Sequence, residues 1–411
     1  MPESRRRRAL GPAVDRRRAY GSYGEDPECQ ATAIEPPISG HCDSSLGAVE
    51  TAFRENFLDR DEVGAAVCVI RGGEVVVDLW GGWADEQRDR EWAHDTMVDV
   101  YSAGKAAIAT LLLQQVDHGA IALHTPVADV WPEFAAHGKD DVTIRHALCH
   151  EAAVPAIRRL LTDDDLLDWP TMTAALADTA PWWPIGTRHA YHTNTFGHLI
   201  GELVRRTTGL MPGDALRRLA DPIGADVWFG VPAAEQQRCA DVIWDPGRPT
   251  PMPDLRPLQD RDTDAAMNAL AHFNPPGYSS IGLVNTSRWR GAQVPSTNGH
   301  GTARGLARFY AALIEPEGLL SSPLLAEATS PQSVGPCTIL GEDVAFGLGF
   351  TPTTTRRPLG PNPRSFGHFG TGGALGFADP DASIAVGYVM NHVVPRWQST
   401  RNRALIDAIF P

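Results

Sequence analysis

Gly64-Ala-Ala-Val-Cys-Val-Ile70, Arg71-Gly72-Gly73 and Glu74-Val-Val-Val-Asp-Leu-Trp80 follow one another without a break, and Gly81-Gly82 ends them. Two runs of β-branched and apolar residues flank a glycine turn, which predicts a hairpin. After Val344 the chain returns to runs of the same kind, at 345–350, 365–369, 374–378 and 383–390. Between these ends the periodicity is helical. Helices are expected over 103–119, near 143–149, 171–179, 194–208, 213–220 and 302–314, and over 399–409 at the close. The stretch 222–300 holds many Pro, Gly and Asn residues and reads as long loops. Strands at both ends with helices between them predict one sheet shared by the two ends, with a helical insertion.

The expected division is an Arg-rich tail at 1–40 and a single folded unit at 41–411. In that unit the α/β part spans about 41–125 and 295–411, and the helical insertion about 126–294. Arg5 to Arg8 and Arg16 to Arg18 precede no apolar stretch, so no secretory signal is read there.

Composition narrows the function. With 411 residues, 43% hydrophobic and 21% charged, the chain is an ordinary globular protein that can bury a large core. No run of 18 apolar residues exists, so no membrane-spanning helix is expected. The net charge of −14 argues against a nucleic-acid partner. Cysteines stand at 29, 42, 68, 149, 239 and 337, without zinc or thioredoxin-like spacing. They read as reduced and mostly buried, and the expected compartment is the cytoplasm. Lysine occurs only at Lys105 and Lys139, so chemistry that needs an amine has two candidates.

One of them stands in Val100-Tyr101-Ser102-Ala103-Gly104-Lys105. The helix that follows is apolar almost all round through Ala106, Ala107, Ile108, Ala109, Leu111, Leu112 and Leu113, as a buried helix is. Ser102 and Lys105 are three residues apart and share a face. A serine hydroxyl needs a base, and an amine without water loses its preference for the charged form. Lys105 is thereby a candidate base for a Ser102 nucleophile, although an N-cap serine beside a snorkelling lysine would show the same spacing. The Gly-x-Ser-x-Gly elbow of α/β-hydrolases occurs nowhere in the chain. Two segments offer what an acyl-transfer site still lacks. Tyr191-His-Thr-Asn194 places a phenol at a loop-to-helix junction, where it can relay a proton. Phe366-Gly-His-Phe-Gly-Thr371-Gly-Gly373 is a glycine-rich strand edge, whose backbone N–H groups can face an oxyanion.

Taken together, these segments resemble the serine β-lactamase-like hydrolases, and among them the family VIII carboxylesterases of the class C type. The resemblance runs over roughly 60–395 and includes Val142-Thr-Ile-Arg-His-Ala-Leu148 and Asn298-Gly-His-Gly-Thr-Ala-Arg304. It implies an α+β fold of the β-lactamase/transpeptidase type, with an antiparallel sheet from both chain ends. It implies Ser102 as nucleophile, Lys105 as base and Tyr191 as relay, with the amides of Ser102 and Thr371 as the oxyanion hole. His368-Phe369-Gly370 stands where β-lactamases carry Lys-Thr-Gly. His368 thus replaces a carboxylate anchor, and Gly370 with it borders the substrate. The Tyr-x-Asn pattern is altered, because Thr193 stands two after Tyr191. His150-Glu-Ala-Ala-Val-Pro155 replaces a more usual His-Thr-Ser-Gly-Leu-Pro.

Tyr101, Trp182, Trp183 and Trp289 are candidates for the cleft wall, each against the alternative of core or surface packing. His300 is weighed between a catalytic and a backbone-holding role. The implied activity is cleavage of small carboxylic esters through an acyl-enzyme, with no cofactor. Acyl transfer, peptide or amide cleavage and weak β-lactam hydrolysis on the same site are the alternatives. A non-catalytic, penicillin-binding-like module is a more remote one. The oligomeric state is not legible.

Overall fold

A computed structural model describes residues 36–244, 252–279, 282–394 and 398–410. The strands up to the middle of the chain are β1 (Ile38–Cys42), β2 (Gly64–Arg71), β3 (Glu74–Gly82), β4 (Val98–Asp99), β5 (Val227–Phe229), β6 (Ile243–Trp244) and β7 (Gly299–Gly301). Those that follow are β8 (Ser333–Cys337), β9 (Glu342–Phe346), β10 (Thr351–Pro352), β11 (Phe366–Phe369), β12 (Leu375–Asp379), β13 (Ile384–Met390) and β14 (His392–Val393). The main sheet has seven strands in the order β1-β3-β2-β13-β12-β11-β10, every pair antiparallel. The expected hairpin is β2–β3, and its register runs from Gly64 opposite Gly82 to Arg71 opposite Glu74. Strand β13 joins the two chain ends by pairing with β2, Gly387 facing Cys68.

The two faces of the sheet are covered by different helices. Neighbouring residues of a strand point to opposite faces. In β12, Gly376 lies against Tyr310 of helix Ala303–Ile314, and the next residue, Phe377, packs its ring 6.4 Å from Phe410 at the chain's end. The second face therefore carries the last helix, Thr400–Ile409, which packs on helix Gly47–Asp59.

Strand β1 starts at Ile38, inside the segment read as a tail. The rest of that segment, 1–35, lies outside the described residues. The run expected at 345–350 is divided. Glu342–Phe346 pairs with β8 in a separate two-stranded ribbon, Gly349 turns with φ +79°, and only Thr351–Pro352 joins the main sheet. The loop reading of 222–300 also needs correction, because it contains helix Asp264–Phe273. Thr263 caps this helix by accepting from the Ala266 amide, and it buries Ala266, Met267, Leu270 and Ala271. The expected helix at 103–119 begins as a 3₁₀ turn at Tyr101–Gly104 and continues as Lys105–Asp117, with Lys105 to Leu113 all buried. Among the described residues no helix is long and apolar enough to cross a membrane.

Candidate active site

Two short strands aim the Ser102 loop. β4 pairs with β7, Asp99 facing His300, and the Val100 amide donates to Gly299 O at 2.7 Å. The chain must then turn at once into the buried helix. Tyr101 does so with φ +49°, a left-handed conformation rare outside glycine. Asp99 stabilises the turn, its Oδ1 accepting from the Tyr101 amide at 2.8 Å. Ser102 and Lys105 are thereby 5% and 0% exposed.

The Lys105 amine has three partners. Nζ lies 2.9 Å from Ser102 Oγ, 2.7 Å from Thr193 O and 2.8 Å from Ser296 O. A carbonyl can only accept, so a neutral amine gives its two N–H bonds to the two carbonyls. Its lone pair is then left for the Ser102 hydroxyl. Burial pushes the Lys105 ammonium well below its ordinary range, because the charged form loses its hydration. The second lysine is used differently. Lys139 donates to Ala136 O, Ala177 O and Thr179 O at 2.6–2.9 Å and ties down the end of helix Trp169–Ala177.

Tyr191 completes the group. Lys105 Nζ sits 5.0 Å from the centre of its ring, and Tyr191 and Ser102 line the same cleft. Burial holds the phenol protonated, because the charged phenolate would lose its hydration. The ring is clamped by Phe346, stacked at 5.6 Å, and by His150 at 4.9 Å. The altered turn at His150–Pro155 keeps a glycine-like backbone: Ala153 has φ +59° where the usual run has glycine.

From the other side β11 ends beside Ser102. A Cβ at Gly370 would stand 2.2 Å from Val100 O, so only glycine allows this approach. The next residue, Thr371, reaches the cleft. Among the described residues neither its amide nor that of Ser102 donates to another backbone group. The cleft has a volume of about 200 Å³. It is lined by Tyr101, Ser102, Tyr191, Thr193, Asn194, Trp244, His272, Tyr278, Thr297, Leu340 and Thr371. No carboxylate, guanidinium or ammonium is among these groups.

The other sequence candidates lie elsewhere. His368 is 2% exposed behind Tyr191, their ring centres 6.3 Å apart, and outside the cleft lining. Its Nδ1–H donates to Phe369 O, and burial pushes the imidazole down to about 3. Trp183 packs in a buried cluster with Tyr191 and Phe346, and Trp182 bonds Ala156 O and stacks on Arg158. Trp289 is fully buried and donates to Asp99 Oδ2 at 2.9 Å. His300 Nδ1–H donates to Asn298 O, and burial pushes it down to about 4. Sequence reasoning missed the carbonyls of Thr193 and Ser296, because a backbone acceptor has no residue signature. It also missed Trp244, His272, Tyr278 and Leu340. Their sole signal was a place in 222–300, the stretch read as loops, and in the ribbon that follows.

A family model described as Beta-lactamase matches residues 48–409. The chain belongs to the beta-lactamase family. Within this beta-lactamase family it is similar to the esterase/beta-lactamase LipL of Mycobacterium tuberculosis, 34% identical over 87% of this chain and 83% of the relative. Of solved structures, a family VIII carboxylesterase is 36% identical, covers 90% of this chain and 98% of its own, and superposes with a TM-score of 0.82. A penicillin-binding protein homolog from Caulobacter crescentus is 37% identical with a TM-score of 0.81, over 91% of this chain and 99% of its own. The protein is thus a hydrolase of the β-lactamase/transpeptidase-like fold.

Proposed function

We propose that this chain is a serine carboxylesterase that cleaves small, uncharged esters through an acyl-enzyme on Ser102. The observation that carries the proposal is the Lys105 amine, which spends its two N–H bonds on Thr193 O and Ser296 O and faces Ser102 Oγ at 2.9 Å. Lys105 takes the hydroxyl proton as Oγ forms its bond to the ester carbon. The negative charge moves to the former carbonyl oxygen, facing the Ser102 and Thr371 amides. As that intermediate collapses the C–O bond to the alcohol breaks. The alcohol oxygen receives a proton from Tyr191, which recovers one from Lys105. Water then attacks the acyl-enzyme along the reverse course, releasing the acid and returning the proton to Ser102.

The relatives support ester cleavage, since a solved neighbour is a family VIII carboxylesterase and the LipL relative is named an esterase as well as a beta-lactamase. The cleft supports it too: its described lining offers no cation to a β-lactam carboxylate. A charge-assisted hydrogen bond is roughly twice as strong as a neutral one, so its loss lowers affinity for an anion by about tenfold or more. The five cysteines among the described residues are free, which supports the cytoplasm as the compartment. The test runs nitrophenyl butyrate and a chromogenic cephalosporin in parallel, with fluorophosphonate labelling read by mass spectrometry. The expected result is a label on Ser102 and kcat/KM several orders of magnitude higher for the ester. Comparable efficiencies would favour a β-lactamase, and an unlabelled Ser102 would overturn the mechanism.

A further inference from the structure

One indole ties together the two segments that hold the reacting atoms. Trp289 is fully buried in helix Ser287–Gly291. Its Nε1–H donates to Asp99 Oδ2 at 2.9 Å, while Asp99 Oδ1 accepts from the Tyr101 amide at 2.8 Å. Both oxygens of a carboxyl group that is 1% exposed are therefore used, one on each side of the link. The Tyr101 side sets where Ser102 stands, because the two are consecutive and Tyr101 is held at φ +49°.

The other side of the link sets where Lys105 points. Trp289 O accepts from Asn298 Nδ2 at 3.0 Å. The Asn298 side chain also donates to Ala292 O at 2.6 Å and accepts from the Val294 amide at 2.8 Å. The loop from 292 to 298 is thus closed on one fully buried amide. At its crest is Ser296, whose carbonyl takes the Lys105 amine at 2.8 Å. The path Tyr101–Asp99–Trp289–Asn298–Ser296 therefore begins at the nucleophile's neighbour and ends at the base's acceptor. None of Asp99, Trp289 and Asn298 lines the cleft.

We propose that Asp99 and Trp289 are positioning residues, whose shared hydrogen bond fixes the Ser102 hydroxyl against the Lys105 amine. The proposal rests on Ser102 being the nucleophile. Misplacement by about 1 Å from a site remote from the chemistry can cost about a hundredfold in rate. The bond acts on proton transfer and not on the walls that hold substrate, so its loss should appear in kcat and leave KM in place.

The experiment uses Trp289→Phe, which keeps a ring in the core and removes the N–H, and Asp99→Asn, which turns one acceptor into a donor facing a donor. Each variant and the double variant are measured for kcat and KM on nitrophenyl butyrate and for the rate of fluorophosphonate labelling at Ser102. Thermal melts establish that each is folded. The expected result is a fall of about ten- to a hundredfold in both kcat and labelling rate, with KM within twofold. The double variant should be no worse than the worse single one, because both remove the same bond. A folded Trp289→Phe protein that keeps kcat and labelling within twofold overturns the proposal, and so do losses that multiply in the double variant. Trp289→Phe decides the matter by itself if Asp99→Asn does not fold. If the wild type is not labelled at Ser102, the nucleophile assignment fails first, and that result is distinct from labelled variants equal to the wild type.

Discussion

Lys105→Arg separates the amine's charge from its basicity. Arginine stays protonated at any working pH, so the variant keeps a cation and loses the lone pair facing Ser102. It should lose about a thousandfold or more in kcat on nitrophenyl butyrate, and an active folded variant would leave the lysine a structural part only. The wild type should lose activity as pH falls, because protonation of Lys105 removes the base. Burial lowers this group, so the midpoint of that limb should lie well below 10.5, the ordinary value for a lysine. A midpoint near that value in the pH profile of kcat/KM would mean that the amine is still charged at neutral pH. Tyr191→Phe should cost about 10²–10⁴-fold, the range for a proton relay, with little change in Tm. The closeness of Ser102 and Lys105 was legible in the sequence, because a spacing of three puts both side chains on one face, whereas Tyr191 came from the family resemblance and from its place at a loop-to-helix junction. Thr193 and Ser296 were not legible, since each contributes a carbonyl that any residue carries. Trp183, Trp289 and His368 were visible as residues, but whether they face the cleft or the core is decided by packing.

At the scale of elements, the strands and helices with strong periodicity stood within a few residues of their expected limits. Helix 194–208 is Thr195–Thr208, and the run 383–390 is Ile384–Met390. Helix Asp264–Phe273 escaped notice because Pro and Asn residues surround it and its apolar face covers less than three turns. The division of 345–350 between two sheets was hidden for a similar reason: one apolar run does not say with which strand it pairs. The contact of helix Ala303–Ile314 with the sheet makes a measurable demand. A Cβ on Gly387 in β13 would stand 2.1 Å from Ala303 O at the start of that helix. Backbone cannot yield as a side-chain tip can. Gly387→Ala should therefore lower stability by about 3 kcal/mol, at the upper end of ordinary overpacking. Urea melts measure the change, and a loss below about 0.5 kcal/mol would mean that the helix slides freely on the sheet.

The molecule as a whole buries imidazoles in their neutral form. His192 and His300 are pushed down to about 4, His198 and His368 to about 3, and His150 well below its ordinary value, all by burial. Below pH 6.5 the unfolded chain binds protons at these sites that the folded chain refuses. Stability is therefore fully present above that pH and falls as pH drops toward 4. Burial acts oppositely on Glu62, raised to about 7, and Asp99, raised to about 8. These two acids penalise the fold at neutral pH and relieve it on acidification. Each group contributes a slope of about 1.4 kcal/mol per pH unit within its window, and the imidazoles named outnumber the acids. The Tm should thus fall between pH 6.5 and 4.5, and a flat or rising Tm would show that these histidines accept protons while folded. The two lysines have a different consequence. Both are 0% exposed, and they are the chain's whole supply of ε-amines. The folded surface therefore offers no lysine to an activated acyl donor, so a succinimidyl ester should leave both unmodified in the native protein and acylate both after unfolding. A mass spectrum taken over time in urea would then count molecules that have opened, with the lysines as the clock.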